Sequence, residues 1–511
     1  MKIVVVGGGT AGWLTAILGL AHAGAHEYTV IESSKVGIIG VGESTTGFFT
    51  DVMTNDLKAM GIDHLDFMIK TGATCKLGIH HKGWGQVRRA GHSYLAPLDG
   101  TNTQFDPRDT QLEYALAHLS LEDRITTSHT GWLMRHGLSN MSQSGQFMAH
   151  GHALHVDGQL TGQYFKAHCL KQPNCRLVDS EVALINRHPG GRITSLTLTN
   201  GESLEGDLFI DCTGFARLLI KEMGAKWVSY KQWLPVDRGM PFQEQYQEGE
   251  QPEAWTTAHA QKNGWMWTTP LLDRKGNGYV YSSDHVTDDQ AQAEIELMLG
   301  RKITPIKIIP FDAGRQSAAW IDNCVSIGLS SSFLEPLEAT SIHTSIVQIK
   351  MLFTEYITDH IETTLNPGTR ALYNGRWSRQ IDDLKDFLVM HYQGGRTDSE
   401  FWRYISSGAT QTDFVKTLLT TAQDRLLNAN DFPRYWGVAG WSLYSWVMSG
   451  LGLFEHVVHN QSPDHVFEQE LAYFDHQQMM QQRYGQNLSH LEYINRVRAL
   501  RRLSCNRVNL A

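Results

Sequence analysis

Four rhythms of apolar and polar positions open the chain. Lys2 to Val6 is a short β-branched run, Gly7 to Gly12 a glycine-punctuated turn, Trp13 to Ala23 a stretch of helical spacing, and Tyr28 to Ile31 a second apolar run ending at Glu32. Strand, turn, helix and strand make a βαβ opening. From Arg192 to Asp211 the spacing is again that of strands. Leu196 and Leu198 alternate with Thr197 and Thr199, Asn200-Gly201 supplies a hairpin turn, and Leu208-Phe209-Ile210 reads as a buried strand reaching Asp211. These signals predict a sheet domain continuing, discontinuously, over residues 1–345. Beyond it Val415, Leu418, Leu419, Ala422 and Leu426 recur at helical spacing, and Trp and Tyr crowd between Trp402 and Trp446. Residues 346–511 are therefore expected to be mainly helical and packed on the sheet domain, with a further helical insertion at about 105–150.

The turn carries the first chemistry. Gly7-x-Gly9-x-x-Gly12 follows a strand and opens a helix, and Glu32 stands twenty residues past Gly12. The first glycine permits the tight turn, the second lets a pyrophosphate approach the backbone at the helix start beside Thr10 and Ala11, and the third allows close helix packing. Glu32 at the end of the second strand suits ribose hydroxyls and so favours FAD or NAD over NADP. A second glycine loop, Gly40-Val41-Gly42-Glu43-Ser44-Thr45, is able to cover a flat cofactor, which favours FAD. The run from Asp207 to Phe215 resembles the strand and turn with which glutathione-reductase-type flavoproteins complete their site; the less favoured alternative is a buried strand with a polar turn. The fold class is α/β, a glutathione-reductase-type FAD-binding fold with mixed sheets. No second dinucleotide fingerprint occurs, so reduced flavin is expected from a separate reductase.

Composition narrows the partners. With 41% hydrophobic and 19% charged residues over 511 positions, the chain can bury a large core. Its 44 Lys+Arg against 53 Asp+Glu give a net charge of −9, and no basic run tracks a nucleic-acid backbone. Six cysteines without a CxxC read as buried thiols of a reducing compartment, hence a cytoplasmic location. Lys2 and the apolar run from Ile3 to about Ala25 mimic a secretory leader, but the glycine fingerprint explains them better, and no membrane span is expected.

Further motifs give the chain a family. It resembles the flavin-dependent halogenases related to the tryptophan halogenases, over most of its length. The resemblance rests on Gly7-Gly8-Gly9-Thr10-Ala11-Gly12-Trp13 and Gly40 to Thr45, on Thr74-Cys75-Lys76-Leu77-Gly78-Ile79, and on Leu234-Pro235-Val236-Asp237-Arg238. It continues in Gly264-Trp265-Met266-Trp267-Thr268-Thr269-Pro270, in Gly328-Leu329 followed by Phe333 to Ile342, and in His391-Tyr392 with Phe401-Trp402-Arg403. Two departures are mild: Thr269 stands where the family has Ile, and Ala339 where it has Ser.

The resemblance implies the site. Reduced FAD, O2 and halide would yield hypohalous acid, with Lys76 and Glu338 as catalytic residues. Lys76 would carry or polarise the oxidant; among apolar neighbours desolvation favours its neutral amine. Glu338, rather than Glu335, would position the oxidant and accept the ring proton. Thr340 and Ser341 would offer backbone N–H groups to chloride or bromide near a helix start. FAD would be held by Gly7, Gly9, Thr10, Ala11, Gly12, Glu32, Val41, Glu43, Ser44, Gly328, Leu329 and Ile342. Trp265, Trp267 and Pro97 would partition substrate from flavin, although the spacing of the indoles alone is that of ordinary aromatic core.

The expected activity is that of a two-component FADH2-dependent halogenase acting on an electron-rich aromatic ring of indole or phenol type. Free tryptophan is expected to be a poor substrate. Where tryptophan-specific members carry a His-Pro-Phe segment, this chain has Tyr94-Leu95-Ala96-Pro97-Leu98, and it contains no adjacent tyrosines. The alternatives are a flavin-dependent aromatic monooxygenase and a flavoprotein with a vestigial site serving as an interaction protein. Homo-oligomerisation is left open. His150-x-His152-x-x-His155 has metal-ligand character but runs into a strand, so no metal is assigned; His80 and His81 read as surface or satisfied polar positions.

Overall fold

The computed structural model describes residues 1–37, 40–85, 93–98, 110–147, 152–358, 360–432, 439–454, 457 and 463–508, with backbone alone at 110–112, 463–465 and 505–508. The chain forms two compact units. One comprises Met1–Thr71, Val156–Ser229 and Asp312–Asp382; the other comprises Gly72–His155, Tyr230–Phe311 and Asp383–Ala511. This differs from a boundary at residue 345, because segments far apart in sequence pair in one sheet while neighbouring segments part.

The first unit is built on a six-stranded sheet in the order Trp320–Ile321, Cys324–Ser326, Leu208–Asp211, Lys2–Val6, Glu27–Glu32, Cys175–Asp179. All pairings are parallel except the edge hairpin of Trp320–Ile321 with Cys324–Ser326. Val5 lies between Val30 and Ile210, and the strand Lys2–Val6 is buried at every position after Lys2. A strand covered on both faces needs such an unbroken apolar run. One cover is the antiparallel meander of Val182–Arg187, Ile193–Leu198 and Ser203–Glu205, whose Ile193, Leu196, Leu198 and Leu204 join Val4, Val6 and Phe209 in one core. The helix Thr10–His22 packs against the helices Gly158–Cys169 and Thr340–Met351. The meander turns at Gly201 (φ 86°), as Asn200-Gly201 predicts.

The second unit holds a seven-stranded sheet in the order Ile309–Pro310, Arg238–Gln245, Arg274–Tyr281, Gly264–Pro270, Trp255–Ala260, Gly78–Lys82, Ser93–Pro97. It is antiparallel apart from the parallel pair Trp255–Ala260 and Gly78–Lys82. Side chains alternate between its faces. Met240, Phe242, Met266, Tyr279 and Tyr281 pack with Ala291 and Ile295 of the helix Asp288–Leu299. Trp265 and Trp267, flanking Met266, therefore point to the opposite face. The helices Glu400–Ser406, Asp413–Thr421, Trp441–Gly450, Pro463–Tyr484 and His490–Val508 complete the unit, as the late helical spacing predicts.

The region expected to be a helical insertion contains the helices Thr110–His118 and His129–Arg135 but also the strand Leu138–Ser142, a correction. This strand pairs with Asn487–Ser489; Asn487 donates to the Ser139 carbonyl at 3.0 Å and Ser139 Oγ to the Leu488 carbonyl at 3.0 Å. Its partner lies some three hundred and fifty positions away, and no local alternation announces it. Among the described residues no helix is long and apolar enough to cross a membrane.

Candidate functional site

In the first unit the glycine turn is shaped by two different demands. Gly7 has φ 116°, and a Cβ there would lie 2.3 Å from the Cys212 carbonyl oxygen; a Cβ at Gly12 would lie 1.8 Å from the Gly7 carbonyl oxygen. Backbone packing forces both to be glycine. Gly9 is different. Its φ of −76° suits any residue, and a Cβ there would meet no protein atom within 4 Å. Gly9 is also the N-cap of the helix Thr10–His22, whose first turn receives no side-chain cap. Open space beside the first-turn N–H groups of a helix is a setting that fits an anionic diphosphate.

Glu32 ends the neighbouring strand, and its Oε2 accepts from Lys166 Nζ at 3.0 Å and Trp13 Nε1 at 3.2 Å. Neither partner was expected. Lys166 comes from the helix Gly158–Cys169, and sequence spacing does not pair it with Glu32. Gly8 makes room for this arrangement, since a Cβ there would lie 2.2 Å from Glu32 Cγ.

The second glycine loop presses against the start of the helix Gly158–Cys169. Val41 is buried and Ser44 half-buried. The Glu43 carboxyl fits under the turn at Gly158, where a Cβ would come within 2.2 Å of Glu43 Oε1. Burial first, and then the charge of Asp157, push Glu43 up to about 7. Thr46 Oγ1 hydrogen-bonds His343 Nδ1 at 2.8 Å, and burial pushes that imidazole down to about 4. Gly328 packs directly on Ala11, where a Cβ would approach the alanine methyl at 2.7 Å, with Leu329 following in the turn Gly328–Ser330. Asp211 is buried and spent on local structure: Oδ1 accepts from Thr213 N at 3.0 Å and Thr213 Oγ1 at 2.7 Å, and Oδ2 from Leu219 N at 2.8 Å and Ile220 N at 2.9 Å.

Glu338 ends the short turn Pro336–Glu338 and is half-buried, whereas Glu335 is fully buried. Ala339 follows in the left-handed region at φ 56°, a conformation costing a non-glycine residue roughly 1 kcal/mol. It is the N-cap of the helix Thr340–Met351 and, as alanine, supplies no side-chain oxygen. Thr340 is buried, Ser341 half-buried and Ile342 buried in that first turn, to which the N-cap gives no side-chain hydrogen bond. Such a helix start favours an anion.

The second unit holds Lys76, at 1% exposure, on the strand Thr74–Lys76, with Ala153 opposite it in the ladder. Burying a lysine so completely is costly and marks a position retained for chemistry or an ion pair. Trp265 is buried and Trp267 half-buried, their ring centroids 6.4 Å apart. Trp267 lies across Gly278, where a Cβ would come within 1.9 Å of its indole. Around them stands a cluster that sequence spacing did not reveal. Trp84 lies 6.2 Å from Trp265, 5.3 Å from Tyr392, 5.8 Å from Trp402 and 5.9 Å from His81, and donates Nε1 to the Ala258 carbonyl at 2.9 Å.

Of the two readings for His81, a surface or a satisfied polar position, burial removes the first: the ring is fully buried and stacks on Tyr94 at 4.6 Å and 11°. Alternation along Gly78–Lys82 places His81 on the same side as the buried Ile79. His80 is half-buried, and burial first, then Lys82, push it down to about 4. Pro97 is buried opposite Gly78, and Ala96 is buried opposite Ile79. Of the histidine triplet, His150 lies outside the described residues, His152 Nδ1 meets Asn140 at 2.8 Å, and both ring nitrogens of His155 meet threonines.

A parallel sheet under a β-meander, with a glycine turn at its first βα junction and an acid at the end of the second strand, has the fold of a flavoprotein of the glutathione-reductase type. The tryptophan halogenase family model matches residues 2–487. The chain belongs to that family and is a flavin-dependent halogenase. It is 32% identical to the 7-chloro-L-tryptophan 6-halogenase of Kutzneria sp. (strain 744), over 78% of this chain and 81% of that protein. It is 31% identical to the tryptophan 7-halogenase of Lentzea aerocolonigenes, over 79% and 78%. The tryptophan halogenase structure from Shewanella frigidimarina NCIMB 400 superposes with a TM-score of 0.88 at 26% identity, covering 97% of each chain. A flavin-dependent halogenase structure from Brevundimonas sp. BAL3 gives 0.83 at 28%, covering 97% of this chain and 99% of that one.

Proposed function

We propose that this chain is the halogenating component of a two-component system, using FADH2 from a separate reductase and O2 to oxidise halide to hypohalous acid, and halogenating an electron-rich indole or phenol other than free tryptophan. The observation that carries the reading is a wholly buried Lys76 in the same unit as the indole pair Trp265 and Trp267. Reduced FAD would supply two electrons to O2, and the oxygen so activated would take two more from halide. The open cradle at Gly9, with Thr10 and Ala11, would hold its diphosphate, and Glu32 Oε1 would accept from the adenosine ribose while Lys166 steadies Oε2. The backbone N–H groups of Thr340 and Ser341, at a helix start whose N-cap is alanine, would hold chloride or bromide.

Lys76 would bind the oxidant through its Nζ, shielded from water by burial, and Glu338 would take the proton leaving the ring carbon. Trp265, Trp267 and Pro97 would form the wall that keeps the ring from the flavin and lets a small neutral oxidant through. Where an aromatic wall would sandwich an indole, Ala96 offers a methyl and Tyr94 is already stacked on His81. Losing such stacking removes about 0.5–1.5 kcal/mol per aromatic contact, and no adjacent tyrosines occur to hold the amino-acid end. We place the reaction in the cytoplasm, where five buried thiols at Cys75, Cys169, Cys175, Cys212 and Cys324 persist as free cysteines.

The test is an aromatic panel with a flavin reductase, NADH and O2, run separately with chloride, bromide and iodide and read by product mass. Halide-dependent halogenation of indole or phenol above tryptophan is expected. Halide-independent hydroxylation would indicate a monooxygenase, flavin turnover without product a vestigial site, and efficient single-position halogenation of tryptophan would overturn the substrate reading.

A further inference from the structure

The strand carrying Lys76 is fastened through one histidine. His155 is fully buried and sits opposite Thr74, two residues before Lys76 and on the same strand face. Its Nδ1 lies 3.1 Å from Thr74 Oγ1, and its Nε2 lies 3.0 Å from Thr256 Oγ1. Thr74 Oγ1 also lies 2.5 Å from the Pro270 carbonyl oxygen. A carbonyl only accepts, so the single hydroxyl proton of Thr74 goes to Pro270. Toward His155 the Thr74 oxygen must therefore accept, which places the ring proton on Nδ1. A neutral ring then has a bare Nε2, and Thr256 donates to it. The charges facing the ring are those of Lys76 and His490, both cationic if charged, and burial with Lys76 disfavours a charged imidazole.

The chain of hydrogen bonds also has a destination. Thr74 and His155 belong to the small ladder that bears Lys76, Thr256 to the strand Trp255–Ala260, and Pro270 to the end of the strand Gly264–Pro270. Thr256 shares its sheet face with Ala258, the cross-strand neighbour of Trp267. The relay thus ties the lysine strand to the two strands that form and flank the indole wall. Leu77 N adds a bond to the Ala254 carbonyl at 2.7 Å.

We propose that His155 is a positioning residue for Lys76: held as the neutral Nδ1–H tautomer by Thr74 and Thr256, it sets the lysine strand against the tryptophan-bearing sheet without adding a second charge beside the amine. The inference rests on the proposed role of Lys76 in transferring halogen.

Its test uses the full chain with FAD, reductase, O2 and bromide. In protein labelled with [15N]histidine, the His155 ring should show the neutral Nδ1–H pattern unchanged from pH 5.5 to 9. His155→Phe should lower brominated product per O2 consumed by about tenfold or more, since a displacement of about 1 Å at a reacting group costs up to about 10²-fold. FAD affinity and O2 consumption should stay near wild type. His155→Gln, a neutral side chain able to donate to Thr74 and accept from Thr256, should recover part of the loss. Thr74→Val, which removes the acceptor for Nδ1–H, should lower the same ratio and serves if the phenylalanine variant does not fold. An Nε2–H pattern, or protonation above pH 6, would overturn the proposal. So would full product yield in folded His155→Phe or Thr74→Val while Lys76→Ala abolishes product. Full yield in Lys76→Ala would instead overturn the role of the lysine and, with it, this inference.

Discussion

Replacing Glu43 by Gln should stabilise the protein, and the gain should grow with pH. The carboxyl is enclosed under the Gly158 turn beside Asp157, and its ionisation rises from an ordinary 4.5 to about 7 in the fold, through burial first and the neighbouring carboxylate second. A group of this kind binds its proton more tightly folded than unfolded. Its own contribution to folding stability is therefore full below about pH 4.5 and falls as pH rises toward 7, above which the buried charge is carried in full. A shift of this size corresponds to at most about 3 kcal/mol, at about 1.4 kcal/mol per tenfold change in proton affinity. Gln keeps the shape and cannot ionise, so it does not carry this loss. Urea denaturation of flavin-free wild type and Glu43→Gln at pH 5 and pH 8.5 isolates the effect, because every other titrating group is common to both proteins. The stability difference should favour Gln by about 2–3 kcal/mol more at pH 8.5 than at pH 5. Asp157→Asn, which keeps an acceptor for the Leu160 N–H at the helix start, should reduce the pH dependence without removing it, because burial is the larger cause. A difference that is the same at both pH values, or that shrinks as pH rises, would refute the reasoning.

Four other substitutions test the remaining geometry. Gly9→Val should abolish FAD binding, measured by fluorescence titration, while leaving the melting temperature of the flavin-free protein near wild type, because no protein atom occupies the space its Cβ enters. Lys76→Ala should stop halogenation while oxidation of reduced flavin continues, followed by product mass and O2 uptake in one vessel; retained product yield would refute the assignment. Glu338→Gln should slow halogenation by roughly 10²–10⁴, the range for a positioned acid or base, with little change in FAD affinity. Gly278→Ala should force the Trp267 indole off its cross-strand seat, since the new methyl would lie 1.9 Å from the ring, and a changed tryptophan fluorescence with a lower product yield per O2 is expected.

Much of the first unit is legible in the amino-acid sequence. The strand Lys2–Val6, the turn at Gly7, the helix after it and the Asn200-Gly201 hairpin are dictated by neighbours in the chain: β-branched runs, a backbone that must turn at φ 116° or 86°, and helical spacing. Local steric and hydrogen-bonding preferences act over a few residues, so sequence reports them directly. The motif around Lys76, the tryptophan pair and the Glu335–Ser341 segment could be named in the same way, as runs of residue types.

What tertiary structure alone decided is who meets whom. Lys166 reaches Glu32 across 134 positions, the strand Leu138–Ser142 finds its ladder partners at Asn487 and Ser489, and the division into two interleaved units follows the sheets rather than the order of the chain. Trp84 becomes the centre of an aromatic cluster, and His81 a buried ring, through packing on residues hundreds of positions later. Such contacts are set by burial and closure of the whole chain, and no local pattern encodes a partner that only the folded core brings within reach.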